Sequence, residues 1–162
     1  TSFSFSDDFF DWKPPLNSRY LVFCMEAASG RKKHNADRRW KEEHYIDLAE
    51  MAHEKYGVHA AFIGINDFPA LPVKPYFHDF RQKLSLGKTA LLLHYSTGYV
   101  GNDTGPLHLS NLMKKNSIVI YLREVDMLNN GPLFPELTTR FLNPRDTVAI
   151  YPALDNLLLQ TK

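Results

Sequence analysis

The chain has 162 residues, 44% of them hydrophobic, and a formal net charge of +1. That length suits one domain with a sizeable core, and so small a charge gives no global case for nucleic acid or an anionic membrane as partner. The single cysteine, Cys24, excludes an internal disulfide, and no apolar stretch approaches the roughly 20 residues of a membrane span.

No signal peptide is legible, and the start at Thr1 without a methionine leaves open a processed or excised piece. A cytoplasmic location is the expectation, with peripheral membrane association left open. Thr1–Ser18, rich in Ser, Asp and Phe and closed by Pro14-Pro15, reads as an arm or linker ahead of one domain over 19–162. Phe3, Phe5, Phe9, Phe10 and Trp12 give it aromatic surface, to pack across the domain itself or to dock on a further domain.

Arg19–Met25 is an apolar run that predicts a first core strand, with Cys24 a buried thiol inside it. Glu26–Lys41 is a long loop whose Arg31, Lys32, Lys33, Arg38, Arg39 and Lys41 make a basic patch. At the carboxyl end of a strand such a patch suits phosphate, arginine by bidentate hydrogen bonds. Glu42–Tyr56 is an amphipathic helix with Tyr45, Leu48, Ala49, Ala52 and Tyr56 as its buried stripe and Gly57 as its stop. Val58–Ile65 is a second buried strand. His53 and His59 have no partners at metal-ligand spacing and read as ordinary surface or strand histidines. Asn66–Pro75, with three prolines in ten residues, is irregular. Tyr76–Phe80 predicts a short strand, Gly87–Ser96 a helix entered through Arg81–Leu86, and Thr97–Gly101 the next strand.

Val100–Leu122 is the stretch that should organise a site. Gly101-Asn102-Asp103-Thr104-Gly105 supplies a tight turn, and Pro106 stands at what would be the first helical position, where its missing N–H costs nothing. The amides of Gly105, Leu107 and His108 then point along the positive end of the helix dipole, a place to hold phosphate, with the His108 side chain close by. Asp103 either contacts the ligand or closes an Asx-type turn; Thr104 either donates to phosphate or caps the helix. Ser117–Leu122 is a continuous apolar run, as in a parallel strand buried on both faces. Beyond it, Arg123–Asn130 is expected to be a ligand-facing loop, Leu133–Pro144 irregular or partly helical, Thr147–Tyr151 the last short strand and Leu154–Gln160 a terminal helix. Apolar runs alternating with helical patterns predict an α/β fold, a three-layer Rossmann-like domain with a mostly parallel sheet.

Other chemistries lack their signatures. The histidines are scattered without H-x-x-x-H or H-E-x-x-H, so no metal is expected. No G-x-S-x-G serves a serine hydrolase, and Glu26–Gly30 offers one glycine where a dinucleotide fold wants three. Gly87-Lys88-Thr89 fails as a P-loop because Gln82 stands where the first glycine is required. The catalytic residues stay unknown.

The segment GNDTGPLHL is very similar to the GNDSGPxHLA-type motif in the nucleotide-sugar-binding half of lipopolysaccharide heptosyltransferases and related GT-B-type glycosyltransferases. FRQKLSLGKTALLL resembles the element that precedes this motif, and Arg38-Arg39-Trp40 falls where the family has K-x-W, so that Arg38 replaces a phosphate-binding lysine. Relatives also carry a donor-contacting acid after the second strand; Asp67 is the candidate here, on a segment whose helix is shortened or lost. The resemblance covers about Arg19 to Leu122. It implies the C-terminal, donor-binding half of a GT-B enzyme, with Arg38, Asp103, Thr104, Gly105, Leu107 and His108 on the donor. The donor is a nucleoside diphosphate sugar, a substrate; no separate cofactor is implied. The catalytic base and the acceptor would belong to an N-terminal half or partner chain. A stand-alone, non-catalytic nucleotide-binding or regulatory module is the alternative, and a homo-oligomer whose cleft is completed by a neighbour is a third reading.

Overall fold

The computed structural model describes residues 12–26, 40–65, 70–102, 105–129 and 135–160. Its elements run β1 (Tyr20–Cys24), α1 (Glu42–Tyr56), β2 (His59–Ile63), β3 (Phe77–Asp79), α2 (Leu86–His94), β4 (Gly98–Asn102), α3 (Gly105–Leu112), β5 (Ser117–Tyr121), α4 (Glu124–Asn129), β6 (Thr138–Leu142) and α5 (Tyr151–Gln160). The described strands form one six-stranded sheet in the order β3-β2-β1-β4-β5-β6. Every pairing in it is parallel.

Alternation along β1 explains the layering. Leu21, Phe23 and Met25 join one buried cluster with Tyr45, Leu48 and Ala52 of α1 and with Leu154, Leu157 and Leu158 of α5. Tyr20, Val22 and Cys24 join the other, with Ala90, Leu92 and Leu93 of α2 and Leu107 and Leu109 of α3. A strand flanked by helices on both faces must be apolar at every position, and all five residues of β1, β4 and β5 are buried. Leu16, from the expected arm, packs on the second cluster, and Lys88 of α2 lies over the Trp12 ring at 5.8 Å.

The helix α1 keeps its expected bounds. Gly57 sits at φ 69, the left-handed conformation that glycine takes at no steric cost, and its N–H donates to the carbonyl of His53. Ser85 caps α2, its Oγ accepting from the N–H of Lys88 at 3.2 Å, so this helix starts at Leu86 and ends at His94, ahead of the expected Ser96.

Three expectations for the C-terminal part are corrected. Arg123–Asn130 contains the helix α4, too short to display a hydrophobic period. Leu133–Pro144 is partly helical, with a 3-10 turn over Pro135–Leu137, but it also contains a full parallel strand, β6, paired to β5 from Ser117↔Thr138 to Tyr121↔Leu142. Its sequence TTRFL has no apolar run because an edge strand stays half wet. Thr147–Tyr151 is not a strand: Val148–Ile150 is a 3-10 turn that runs into α5. Ile150, Leu154, Leu157 and Leu158 are buried at helical spacing, and that packing overrides the β-branched residues. Residues 70–75 carry no helix or strand, as the prolines require. Asp67 lies outside the described residues. Among them, no helix is long and apolar enough to cross a membrane.

Candidate functional site

The strand order sets the place. The chain builds outward from β1 to β3, then returns to add β4 on the other side of β1. The helices that follow β1 and β4, α1 and α3, pack on opposite faces of the sheet, and the carboxyl ends of two such strands border the crevice where ligands bind in such sheets. One side-chain-free position allows the strands to close up there. A Cβ on Gly101 would meet the hydroxyl of Tyr99 and would lie 2.6 Å from the carbonyl oxygen of Cys24.

Asn102 ties the crevice together. It is 1% exposed. Its Oδ1 accepts from the hydroxyl of Tyr45 at 2.7 Å, and its Nδ2 donates to the carbonyl of Met25 at 3.3 Å. Its own carbonyl accepts from the hydroxyl of Tyr99 at 3.1 Å. One amide thus fixes the end of β4 against the exit of β1 and the first turns of α1. In the sequence Tyr45 belongs to a packing stripe and Asn102 to a turn, and no local pattern marks either for the site. Asn102 is instead the last residue of β4, one position beyond the strand end expected at Gly101.

The helix α3 starts at Gly105 and runs for 8 residues, with Pro106 in its second position rather than its first. Gly105 is exposed, and a Cβ there would meet nothing within 4 Å. The corner is therefore not plugged on that side. Leu107 is fully buried, so only its main-chain amide can serve a ligand. Main-chain N–H groups in a first turn have no acceptor within the helix. His108 is exposed on the same turn. Beside this start lies a pocket of about 340 Å³, walled by Ile63, Gly64 and Ile65 at the exit of β2, Leu84, Leu86 and Thr89 at the start of α2, and Gly105, Pro106 and Leu109 of α3. This apolar pocket is not legible in the sequence, where the element LSLGKT that supplies one wall reads as the entry to a helix within the stretch that resembles the family. Arg38, Asp103 and Thr104 lie outside the described residues. Of the basic run only Lys41 is described. It is exposed at the start of α1, where its carbonyl accepts from the N–H of His44 at 3.0 Å. Trp40 is buried; its Nε1 donates to the carbonyl of Pro144 at 3.0 Å and its ring meets Tyr45 edge-on at 5.0 Å, so it packs the start of α1.

The family model for glycosyltransferase family 9 (heptosyltransferase) matches residues 2–142. The chain belongs to that family. The fold agrees. E. coli ADP-heptose lipopolysaccharide heptosyltransferase II superposes with a TM-score of 0.69 at 16% identity, over 97% of this chain and 53% of that one. E. coli heptosyltransferase WaaC, solved with ADP, gives 0.69 at 20% identity, over 92% and 47%. A family 9 glycosyl transferase from Veillonella parvula gives 0.70 at 16% identity, over 88% and 46%. This family 9 chain spans about half the length of these structures. A comparison with curated protein sequences finds no match.

Among the described residues of this family 9 domain, the titrating groups that depart from ordinary behaviour lie away from the crevice. His59, the first residue of β2, shares a hydrogen bond of 2.9 Å with His78 of β3, and His53 of α1 stacks on Tyr76 at 3.7 Å. Burial lowers the pKa of both His59 and His78, helped by the neighbouring His53 and His59 respectively. The two histidines read as ordinary thus include one half of a half-buried pair, whose partner is brought by sheet pairing. No group of three or more His, Cys, Asp or Glu among the described residues is placed to hold a metal.

Proposed function

We propose that this chain is the nucleotide-sugar-binding half of a GT-B-type glycosyltransferase, which takes a heptose-like sugar from a nucleoside diphosphate and passes it to a glycan or lipopolysaccharide-type acceptor. The acceptor site and the base would belong to an N-terminal half or partner chain. One juxtaposition carries the reading: the first turn of α3 and the apolar pocket share Gly105 and Pro106 at the switch point of the sheet. A nucleoside diphosphate has the matching shape, with an apolar base at one end and negative phosphates at the other. The amides of Gly105 and Leu107 and the imidazole of His108 would receive the phosphates. Arg38 would add a bidentate cation, while Asp103 and Thr104 would close the turn around them. Support comes from the E. coli WaaC relative, solved with ADP and with ADP-2-deoxy-2-fluoro heptose.

In the transfer, an acceptor oxygen bonds to the anomeric carbon while the bond from that carbon to the diphosphate oxygen breaks. The electron pair stays on the leaving diphosphate. Fixed donors at the start of α3 favour that developing charge without reorganising. The acceptor's proton goes to the base of the other half. A thermal-shift panel of ADP, GDP, UDP and ADP-heptose tests the binding step. A ligand at one hundred times its Kd stabilises by about 2.7 kcal/mol, a rise in Tm of about 5–10 °C for a chain of this size. His108→Ala should weaken the best ligand about tenfold, the loss of one charge-assisted contact. No shift with any nucleotide would refute the reading.

A further inference from the structure

Among the described strands β3 is the shortest, with 3 residues at the edge of the sheet, and it pairs only with β2. Two side-chain ties extend that short ladder. Toward its amino end, Nδ1 of His59 and Nε2 of His78 share the 2.9 Å hydrogen bond. Their ring centroids are 5.2 Å apart and their planes 13° apart, a separation that rings joined nitrogen to nitrogen reach only when they lie end to end. The lone pair of one imidazole therefore faces the N–H of the other. Past the carboxyl end of β3, the N–H of Gln82 donates to the carbonyl of Gly64 and its Nε2 to that of Ile65, both at 2.8 Å. The N–H of Ile65 in turn donates to Oε2 of Glu26 at 3.1 Å. Gly64 and Ile65 wall the apolar pocket beside α3. One short edge strand thus joins a histidine pair to a wall of that pocket.

The pair keeps its bond with two or three N–H protons on its rings, but not with four. With four, both facing nitrogens are donors and both rings are cations. The other titratable groups in this corner are His53 of α1, edge-on to His59 at 5.8 Å, and Tyr76 ahead of β3, on which His53 stacks. His53 adds repulsion when charged. On β3 itself, Asp79 is held by Arg81 at 2.9 Å, and Lys83 donates to the Asp79 carbonyl. No carboxylate among the described residues bonds either ring of the pair, and burial already opposes charge on both. We propose that His59 and His78 form a proton-operated latch on β3: the fourth proton breaks their bond, frees β3 from β2 and slackens the Gly64–Ile65 wall of the pocket. The effect on a bound nucleotide rests on the donor-binding reading; the opening of the strand does not. Once the strand is open the imidazoles hydrate and titrate separately. Each proton taken up on opening then raises the opening constant by up to about tenfold per pH unit.

Residue-resolved hydrogen exchange of the 162-residue chain tests this at about pH 7.5 and about pH 5, corrected for the intrinsic rate. The reporters are the amides of Ala60, Phe80 and Gln82, which donate to the carbonyls of Tyr76, Phe62 and Gly64. In the unaltered chain they should lose about tenfold in protection at the lower pH while the amides of β5 hold. His59→Gln and His78→Gln each remove one cation and still offer an acceptor to the remaining imidazolium. Both variants should keep the reporters within about twofold across the same range. ADP at about one hundred times its Kd should suppress the opening about one hundredfold at Gln82. Reporter protection that ignores pH, or that both variants lose as the unaltered chain does, overturns the proposal. So does a loss shared equally by β5, because the pair then titrates only in global unfolding. ADP that binds yet leaves the Gln82 amide opening as before overturns the link to the pocket wall. A chain that opens β3 with pH but binds no ADP keeps the latch and sinks the donor-binding reading.

Discussion

Asn102→Asp is the most searching test of how the crevice is built. The substitution keeps the shape and keeps an acceptor for the Tyr45 hydroxyl, but at neutral pH it sets a carboxylate oxygen where Nδ2 now donates to the carbonyl of Met25. The site is 1% exposed, so the new charge has almost no water to reach. Burial and the facing carbonyl should raise the introduced carboxyl by two to three units above the ordinary value of about 3.9, worth about 3–4 kcal/mol. The sign is specific. The folded pKa lies above the unfolded one, so the variant nears the unaltered chain at about pH 4, where the protonated carboxyl can again donate to Met25. It loses stability as pH rises through the folded value and levels off above it. Urea unfolding of both chains at about pH 4, 5.5 and 7.5 reads the difference directly. A penalty independent of pH, or one below about 1 kcal/mol at neutral pH, would refute the claim that this amide is sealed between β1, β4 and α1.

Gly101→Ala should cost about 3 kcal/mol in urea unfolding, because its Cβ would meet the Tyr99 hydroxyl and the Cys24 carbonyl in the middle of the sheet. Asp47 of α1 accepts from the hydroxyls of both Thr147 and Tyr151. Asp47→Ala should therefore cost about 1–3 kcal/mol and raise hydrogen exchange in α5 before it rises in β4 or β5. His59 and His78 are held below the ordinary 6.5, so the unfolded chain takes up protons first. Stability should be full above about pH 6.5 and fall as the pH drops through that value; His78→Gln should flatten the slope between about pH 5 and 6.5.

The sequence by itself determined the elements whose burial is strongest and most local. The stripe of Tyr45, Leu48, Ala49 and Ala52 with the stop at Gly57 sets α1 to its bounds. Central strands covered on both faces write themselves as apolar runs, which is why β1 and β5 are legible. The motif GNDTGPLHL was enough for the family, since a turn that opens a helix at a sheet edge tolerates few sequences. Tertiary structure alone decided the rest. The strand β6 is half-exposed and gains its conformation from pairing with β5, not from its own composition. Val148–Ile150 is β-branched yet helical because α5 needs its first turn against the core. The crevice depends on partners far apart in the chain: Asn102 and Met25 are separated by 77 positions, Glu26 and Ile65 by 39. Such contacts form only once the order of strands brings the carboxyl ends of β1, β2 and β4 side by side, and no local pattern of residues encodes that order.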